Sequence, residues 1–359
     1  MTALTALVLT LAGTAPTAAQ DSGLAAHCDA PEVEAFAARD ACIATAQAVI
    51  SAQPLLGILI AGGNPTVGSA GESGFRLGLL PRVSAGVRLN VVPVRLPDIL
   101  AEQIPGEAGD LARRLGIPAP AVVGDLAIGI TDGFAAAPGL GGIGGISVLA
   151  SVSYLPFQLF DADGFDEADL AYGLGARLHL LEESFFVPGI SLSVMRRALP
   201  DLAFGDICPG GIEPVAVPGG DPDHETGACA GEGDAGEFSF DLTDWSGRLV
   251  ASKHFLGFGA TAGAGYDRYE SDLGFGFRAP AAEPQTQLTP VFRVTDQSLA
   301  ATRWTLFGNL SFSFVAATLA AEAGWQQGEP PISSFRELGG NFDPGSGAWY
   351  ASLGARLSL

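Results

Sequence analysis

The last eleven residues, 349–359, have the sequence Trp-Tyr-Ala-Ser-Leu-Gly-Ala-Arg-Leu-Ser-Leu. Its odd-numbered positions, from Trp349 to Leu359, are all apolar, whereas the even-numbered positions hold Tyr, Ser, Gly, Arg and Ser. Successive side chains of a β-strand point to opposite faces. We therefore expect a strand with one face in hydrocarbon and the other face directed toward a polar interior.

The same period-two alternation recurs upstream. It is found in residues 83–91, 146–154, 169–180, 189–197, 256–267, 303–314 and 317–326. The polar positions of these segments hold mostly Gly, Ser, Thr and a few Arg. The wet face of a soluble sheet would be rich in Lys and Glu. Small polar residues suit a crowded interior, so the pattern favours a barrel over a soluble exported β-protein, which remains an alternative.

Composition supports this interpretation. Charged residues are 16% of the chain, below the roughly 25% of soluble proteins, and mean hydropathy is +0.32. No run beyond the N-terminal leader approaches the ~20 apolar residues of a membrane-spanning helix. The net charge is −21, and Lys253 is the only lysine. Nucleic-acid binding is excluded, because phosphate contacts need clustered basic residues.

Connection lengths also alternate along the chain. Short turns are expected at 181–184, 252–255 and 315–316, and long loops at 200–236, 279–287 and 327–346. Outer-membrane barrels have short periplasmic turns and long external loops. The sequence therefore predicts an all-β transmembrane protein of a Gram-negative outer membrane. Its fold would be a closed antiparallel up-and-down β-barrel with a short N-terminal helix and both termini periplasmic.

We predict about twelve strands, an even number as closure requires. They lie near 55–62, 73–80, 82–96, 122–133, 143–157, 168–181, 185–200, 237–252, 256–278, 288–314, 316–327 and 347–359. If 73–92 is one strand and 55–62 is outside the barrel, the count is ten; a missed hairpin gives fourteen. The strands 256–278 and 288–314 are long enough to project above the membrane. A phase slip between Leu242 and Trp245 indicates a bulge or the barrel rim.

The N-terminal part differs from the rest. Residues 1–19 are small, apolar and uncharged and end in Ala18-Ala19-Gln20, which predicts a signal peptide, with a membrane anchor as the alternative. Residues 31–53 have helical spacing, and we predict a helical plug or a periplasmic segment in 20–54, followed by the barrel in 55–359. Residues 97–120 also have helical character and are expected in an external loop.

Four cysteines suit an oxidising compartment. The simplest of three connectivities joins Cys28 to Cys42 and Cys208 to Cys229, with free buried thiols as the alternative. The second couple brackets an acidic loop. In it Asp221, Asp223 and Glu225 are weak candidates for a Ca²⁺ site, although a solvated loop stapled by the disulfide is favoured.

Charged residues on the inward face are the main functional candidates. In a channel they would set ion selectivity by their field, and in a closed barrel they would pair as a polar core. The expected lumen-lining charges are Arg76, Arg88, Asp125, Asp169, Arg177, Arg197, Arg248, Asp267, Arg303, Glu322 and Arg356, with His179 beside them.

Catalysis is not expected. A nucleophile needs a base within about 3 Å. A turn at 182–184 places His179 opposite Val187 and leaves Ser191 and Ser193 out of its reach. We therefore expect no enzyme and no cofactor.

Two features resemble known membrane proteins. The terminal strand 349–359 resembles the C-terminal signal that the barrel-assembly machinery reads, although members of that class usually end in Phe rather than in Leu359. The N-terminal helical segment followed by Gly-Gly-Asn-Pro at 62–65 resembles transporters of the long-chain fatty acid type, which implies uptake of apolar molecules.

We therefore expect a passive pore or a transporter of small solutes, apolar solutes among them. The alternative is a structural or adhesion barrel that uses the loop 208–229 as its contact surface. The expected partners are outer-membrane lipid, the barrel-assembly machinery and a small apolar solute.

Overall fold

Ten long antiparallel strands and an internal helix make up the protein in its computed structural model. The structure describes residues 21–71, 82–100, 113–131, 133–135, 142–157, 169–213, 224–230, 233–280 and 288–358, together with 111, 164 and 165. The strands are β1 (Val83–Pro97), β2 (Arg114–Thr131), β3 (Phe134–Ala135), β4 (Gly142–Ile143), β5 (Gly145–Leu155), β6 (Asp169–Leu181), β7 (Gly189–Phe204), β8 (His224–Cys229), β9 (Gly236–Phe255), β10 (Phe258–Arg278), β11 (Thr289–Phe314), β12 (Ala317–Gln326) and β13 (Ala348–Ser358). The helices are α1 (Asp21–Ala26), α2 (Pro31–Ala35), α3 (Arg39–Ala61) and α4 (Ser333–Glu337), with 3-10 turns at His27–Asp29 and Pro344–Ser346.

The sheet closes on itself. Its order is β1, β2, β5, β6, β7, β9, β10, β11, β12 and β13, and β13 pairs with β1 to complete the ring. β3 and β4 form a separate small hairpin, and β8 pairs with β11 beside β10. The predicted closed antiparallel barrel is confirmed, with ten strands in the ring.

Two of the predicted elements are wrong within the described residues. Residues 55–61 are the last two turns of α3 and not a strand, because a short apolar run does not distinguish a buried strand from a buried helix. Residues 114–120 were expected to be helical but belong to β2, which pairs along the full length of β1. The predicted strand 73–80, residues 101–110 and the predicted signal peptide lie outside the described residues.

Two of the three predicted tight turns are displaced. Residues 252–255 belong to β9, and the turn is Leu256-Gly257. Both turn residues have positive φ, 51° and 86°, as a two-residue hairpin turn of the favoured twist requires. The connection after β6 spans 182–188 rather than 182–184. The third tight turn, Val315-Ala316, lies where it was predicted.

A belt of apolar side chains surrounds the half of the barrel that ends in the tight turns. Leu174, Leu310 and Leu353 are 68%, 71% and 64% exposed on the outer surface. Aromatic residues border the belt on both sides: Tyr154, Tyr172, Trp245, Tyr266, Trp304 and Trp349 above, and Phe134, Phe185, Phe186, Phe255, Phe258, Phe312 and Phe314 near the turns. Ten residues of tilted strand separate Leu256 from Tyr266, a height of about 25 Å. That height matches the apolar band of membrane barrels.

Above the belt the polarity of the two faces is reversed. In the upper part of β9, Phe238, Phe240 and Leu242 point inward and are buried, whereas Ser239 and Asp241 are exposed. The alternation continues without interruption through Trp245. Of the two alternatives, a bulge and the barrel rim, β9 shows no bulge here, and the register shift lies in the neighbouring strand β7, between Leu199 and Leu202. The apparent slip arises because the wall leaves the belt, so that its outer face meets water and its interior becomes a dry core.

The helix α3 lies inside this core. It is apolar on all sides and long enough to span a membrane, yet 94% of its most apolar window is buried within the barrel. Its beginning packs near Gly236 and Ile99 at the long-loop end, and its last turn lies beside Arg88 in the belt half of the lumen.

The two ends of the described chain lie at opposite ends of the barrel. The Cys28–Cys42 disulfide joins the N-terminal segment to the start of α3 at the long-loop end. At the other end, the backbone N–H of Ser358 donates to the carbonyl of Ala316 in a tight turn. The first and last described residues therefore lie at opposite ends of the barrel, because the chain passes through the lumen before it builds the wall. The periplasmic location of both termini stays a prediction, since residues 1–20 and 359 lie outside the described residues.

Candidate functional site

The lumen is occupied by a segment that we call the lumen plug, consisting of α3 and residues 62–71. The polar side chains of its helix bind the wall: Gln53 donates to the Ser271 hydroxyl at 2.8 Å, and Gln47 accepts from the backbone N–H of Ile332 at 2.8 Å. Gly57 lies flat against the ring of Tyr269, where any Cβ would overlap the ring. The helix is therefore fitted to this wall and not loosely enclosed by it.

The C-terminal end of α3 is capped by the wall. The last carbonyls of a helix lack partners within the helix and carry partial negative charge. Asn90 donates to the carbonyl of Leu59 at 2.8 Å, and Arg88 donates to that of Ala61 at 3.1 Å. Inward residues of β1 thus satisfy the helix end at the middle of the barrel.

The first residues after the helix are held by groups of both charges. Arg248 donates to the carbonyls of Gly62 and Gly63 at 3.2 and 3.1 Å. Glu322 accepts the backbone N–H groups of Gly63 and Asn64 at 2.9 and 3.2 Å. Charge-assisted hydrogen bonds of this kind are roughly twice as strong as neutral ones. The plug is therefore fixed here through its backbone.

The remainder of the plug descends toward the tight turns. Arg177 donates to the Asn64 side-chain oxygen at 2.9 Å, and the Ser252 hydroxyl accepts the N–H of Ala70 at 2.9 Å. The ring of His254 contacts the carbonyl of Gly68 at 3.0 Å. Every layer of the belt half of the lumen thus contributes a polar contact to the plug.

Three buried arginine–aspartate pairs cross between neighbouring strands. Arg88 binds Asp125 at 3.0 Å, Arg197 binds Asp244 at 3.2 Å and Arg248 binds Asp267 at 2.7 Å. Asp244 was missed in the sequence because it lies at the apparent phase slip of β9. Its even number, shared with the inward residues Ser246 and Arg248, is the signal that would have revealed it.

The other predicted lumen residues occupy varied positions. Glu322, Arg303 and Arg356 are buried on the inner face, Arg303 pairs with Glu329, and Asp169 is half-buried at the start of β6 near the long-loop end. Arg76 lies outside the described residues.

The two predicted disulfides, Cys28–Cys42 and Cys208–Cys229, are confirmed. Among the weak Ca²⁺ candidates, Asp221 and Asp223 are outside the described residues. Glu225 lies in β8 opposite Arg293. Within the described part of the chain, no group of three acidic, His or Cys side chains is arranged to hold a metal ion.

His179 pairs with a different residue of the neighbouring strand than the sequence predicted. His179 pairs directly with Ser191 rather than with Val187, because the connection after β6 is longer than predicted. Its Nε2 lies 3.0 Å from the Oγ of Ser147 on β5. The cavity beside this pair is about 20 Å³, less than the share of one liquid water. The two side chains thus lie within hydrogen-bonding distance of each other beside a small cavity.

An apolar cleft separates α3 from the wall near the long-loop end. It has a volume of about 40 Å³ and is lined by Ile50, Pro54 and Leu55 of the helix and by Phe342 and Ala348 opposite them. Pro54 has no N–H to donate to the carbonyl of residue 50, which removes one helical hydrogen bond at this level. The cleft lies where the helix is intrinsically weakest.

No family model and no curated protein matches the chain. Among solved structures, it is similar to the translocator domain of the autotransporter NalP from Neisseria meningitidis, with 9% identity, a TM-score of 0.33, and coverage of 79% of this chain and 89% of that one. It is also similar to the outer-membrane protease OmpT from Escherichia coli, with 10% identity, a TM-score of 0.32, and coverage of 77% of this chain and 97% of that one. A third similar structure is the Pseudomonas putida toluene transporter TodX, with 12% identity, a TM-score of 0.28, and coverage of 82% of this chain and 96% of that one. Values this low do not identify a relative, and the assignment of the fold rests on the strand pairings.

Proposed function

We propose that this chain is an integral outer-membrane barrel that admits small apolar solutes past a movable lumen plug. The observation that carries the proposal is the apolar cleft between α3 and the wall at Pro54. Ligand sites are concave and mostly apolar, with a few polar groups that orient the ligand. Here the wall contributes Arg95 and Arg303 beside the apolar residues.

The outer-membrane location is supported by the belt and by its aromatic borders, which are the surface features of lipid-embedded barrels. In that membrane the short turns lie on the periplasmic side. The long loops, β8 and the Cys28–Cys42 disulfide would then lie outside the cell. The N-terminal segment would also be external.

Transport past a plug is favoured over a permanently open pore. α3 and residues 62–71 occupy the described lumen, and their polar groups are bonded to the wall. A cleft of about 40 Å³ holds little more than one water molecule. A solute therefore needs α3 to shift, and the wall behind the helix offers it an apolar path through the external half.

A reversible lock on the helix tests this mechanism. A Cβ on Gly236 would contact the Oγ1 and Cγ2 of Thr45, so cysteines at both positions are within reach of a disulfide. In intact cells, expression of the wild type should increase entry of the apolar dye N-phenyl-1-naphthylamine at least fivefold. Oxidised T45C/G236C should abolish this increase, and a reductant should restore it.

The wild type with and without reductant is the matched control, since it carries the two native disulfides. Equal dye entry in cells with and without the barrel would overturn the proposed transport. Equal entry through oxidised and reduced T45C/G236C would instead show that α3 does not move.

A structural or adhesion role is the second candidate, and the external sheet favours it. β8 extends β11 above the belt, and the Cys208–Cys229 disulfide packs with Ile207 and Val291. This would give the loop a stable contact surface. If C208A/C229A keeps dye entry but abolishes attachment of cells to a surface, the loop serves adhesion.

A further inference from the structure

A second cavity lies at the tight-turn end of the barrel, below the lumen plug and far from the apolar cleft. We call it the vestibule. Its volume is about 420 Å³, and its lining includes Arg356, Ser358, Ser313, Thr318 and Ser69. A cavity of this size and polarity can hold a small hydrated solute.

Two side chains of the vestibule carry hydrogen-bond donors that have no partner among the described residues. Arg356 is 4% exposed, and neither its Nε nor its Nη1 has an acceptor among the described residues. The Oγ of Ser358, 7% exposed, is likewise without a partner there. These residues are two positions apart on β13 and therefore point to the same side. A buried charge that lacks a partner is costly, so the arrangement requires an acceptor from elsewhere.

The charges around Arg356 do not supply that acceptor. Arg177 is close enough to repel Arg356, and its own bonds are to the neutral groups Asn64 and Ser69. No described carboxylate forms an ion pair with either arginine. The local field of these two guanidinium groups is therefore positive.

Two glutamates also line the vestibule. Glu183 binds the ring of His254 at 2.8 Å and lies 3.8 Å from the ammonium of Lys253. Glu182 accepts the backbone N–H of Gly142 at 3.2 Å through Oε2, and its buried Oε1 has no hydrogen-bond partner among the described residues. Neither carboxylate is bonded to Arg356, so its guanidinium is open to an anionic ligand.

We propose that the vestibule binds a small oxyanion, a phosphate or a carboxylate, through the guanidinium of Arg356 and the hydroxyl of Ser358. The planar guanidinium fork matches two oxygens of either group. The site lies on the periplasmic side if the short turns do, and it is independent of solute passage at the apolar cleft.

Calorimetric titration of the refolded full-length barrel with inorganic phosphate, and separately with acetate, tests the site and distinguishes the two sources. R356Q should weaken binding of the preferred anion at least tenfold, which corresponds to about 1.4 kcal/mol. S358A should weaken it severalfold. R356K keeps the charge but loses the fork, so it should fall between R356Q and the wild type.

The matched control is R268Q, which removes an arginine from the exposed outer wall and should leave binding unchanged. The mobility shift on boiling in SDS shows that each variant is folded. Equal affinity of R356Q and the wild type would overturn the proposal. Absence of phosphate and acetate binding by the wild type would overturn it as well.

Discussion

At the scale of single residues, two buried ion pairs of the same type differ in one respect. Arg248 binds Asp267 and also the backbone of the plug segment 62–71, whereas Arg197 binds Asp244 and makes no bond to the plug among the described contacts. Removing one partner of a buried pair costs about 3–5 kcal/mol. We expect R248Q and R197Q to lose similar stability in urea, but only R248Q to release the plug.

Ion conductance in planar bilayers measures that release. R248Q should raise the frequency of open events at least tenfold over the wild type, while R197Q should not change it. Conductance in both variants would mean that loss of stability alone opens the lumen. No conductance in either would mean that Arg248 does not hold the plug.

Alternation in the sequence predicts on which side of a strand a charge lies, but not its partner. The partner depends on the stagger between strands, which is set by turn length. One misplaced turn therefore put His179 opposite Val187 instead of Ser191. Asp244 was missed for a related reason, since the reversal of polarity above the belt resembles a change of phase.

At the scale of one element, β11 crosses both environments of the outer wall. Leu310 lies within the belt, and Ser298, on the same face and strand, is exposed above it. An arginine at the middle of a bilayer costs a barrel about 2–4 kcal/mol, and near the interface about 0–1 kcal/mol. L310R should therefore reduce the free energy of unfolding in lipid by that larger amount, and S298R by little.

Urea titration of both variants in lipid vesicles gives the comparison. A similar loss for the two substitutions would show that the belt is not in contact with lipid. The same titration in a detergent micelle should preserve the order of the two variants.

The strands were predictable because each carries many alternating residues, whereas α3 was only partly predictable. Its last turns, Leu55 to Ala61, are apolar at nearly every position, and such a run has no period to detect. The wall around this run supplies what the sequence lacks, since Asn90 and Arg88 bind the carbonyls of Leu59 and Ala61 at the end of the helix. The cleft at Pro54 was not predicted for the same reason.

At the scale of the whole molecule, the described chain begins at the long-loop end and finishes at the tight-turn end. A protease site inserted after Ser22 should be cut on intact cells, because this segment lies beside the external loops in the proposed orientation. The same site inserted after Leu256, in a tight turn, should be cut only when the outer membrane is permeabilised.

Immunoblots against a tag at each insertion provide the readout. Protection of the first site and cleavage of the second on intact cells would reverse the proposed orientation. Cleavage of both sites on intact cells would mean that the protein does not span the outer membrane.

The disulfide between Cys28 and Cys42 makes the plug resist force unequally in its two directions. It ties α1, a 3-10 turn and α2 to the start of α3, and we call this cross-linked segment the head. Residues 62–71 continue from the other end of the helix as a single chain segment without a cross-link. Tension toward the tight turns pulls this head against the rim. Tension the other way is opposed by the packing of α3 and by the hydrogen bonds of residues 62–71, without a covalent cross-link.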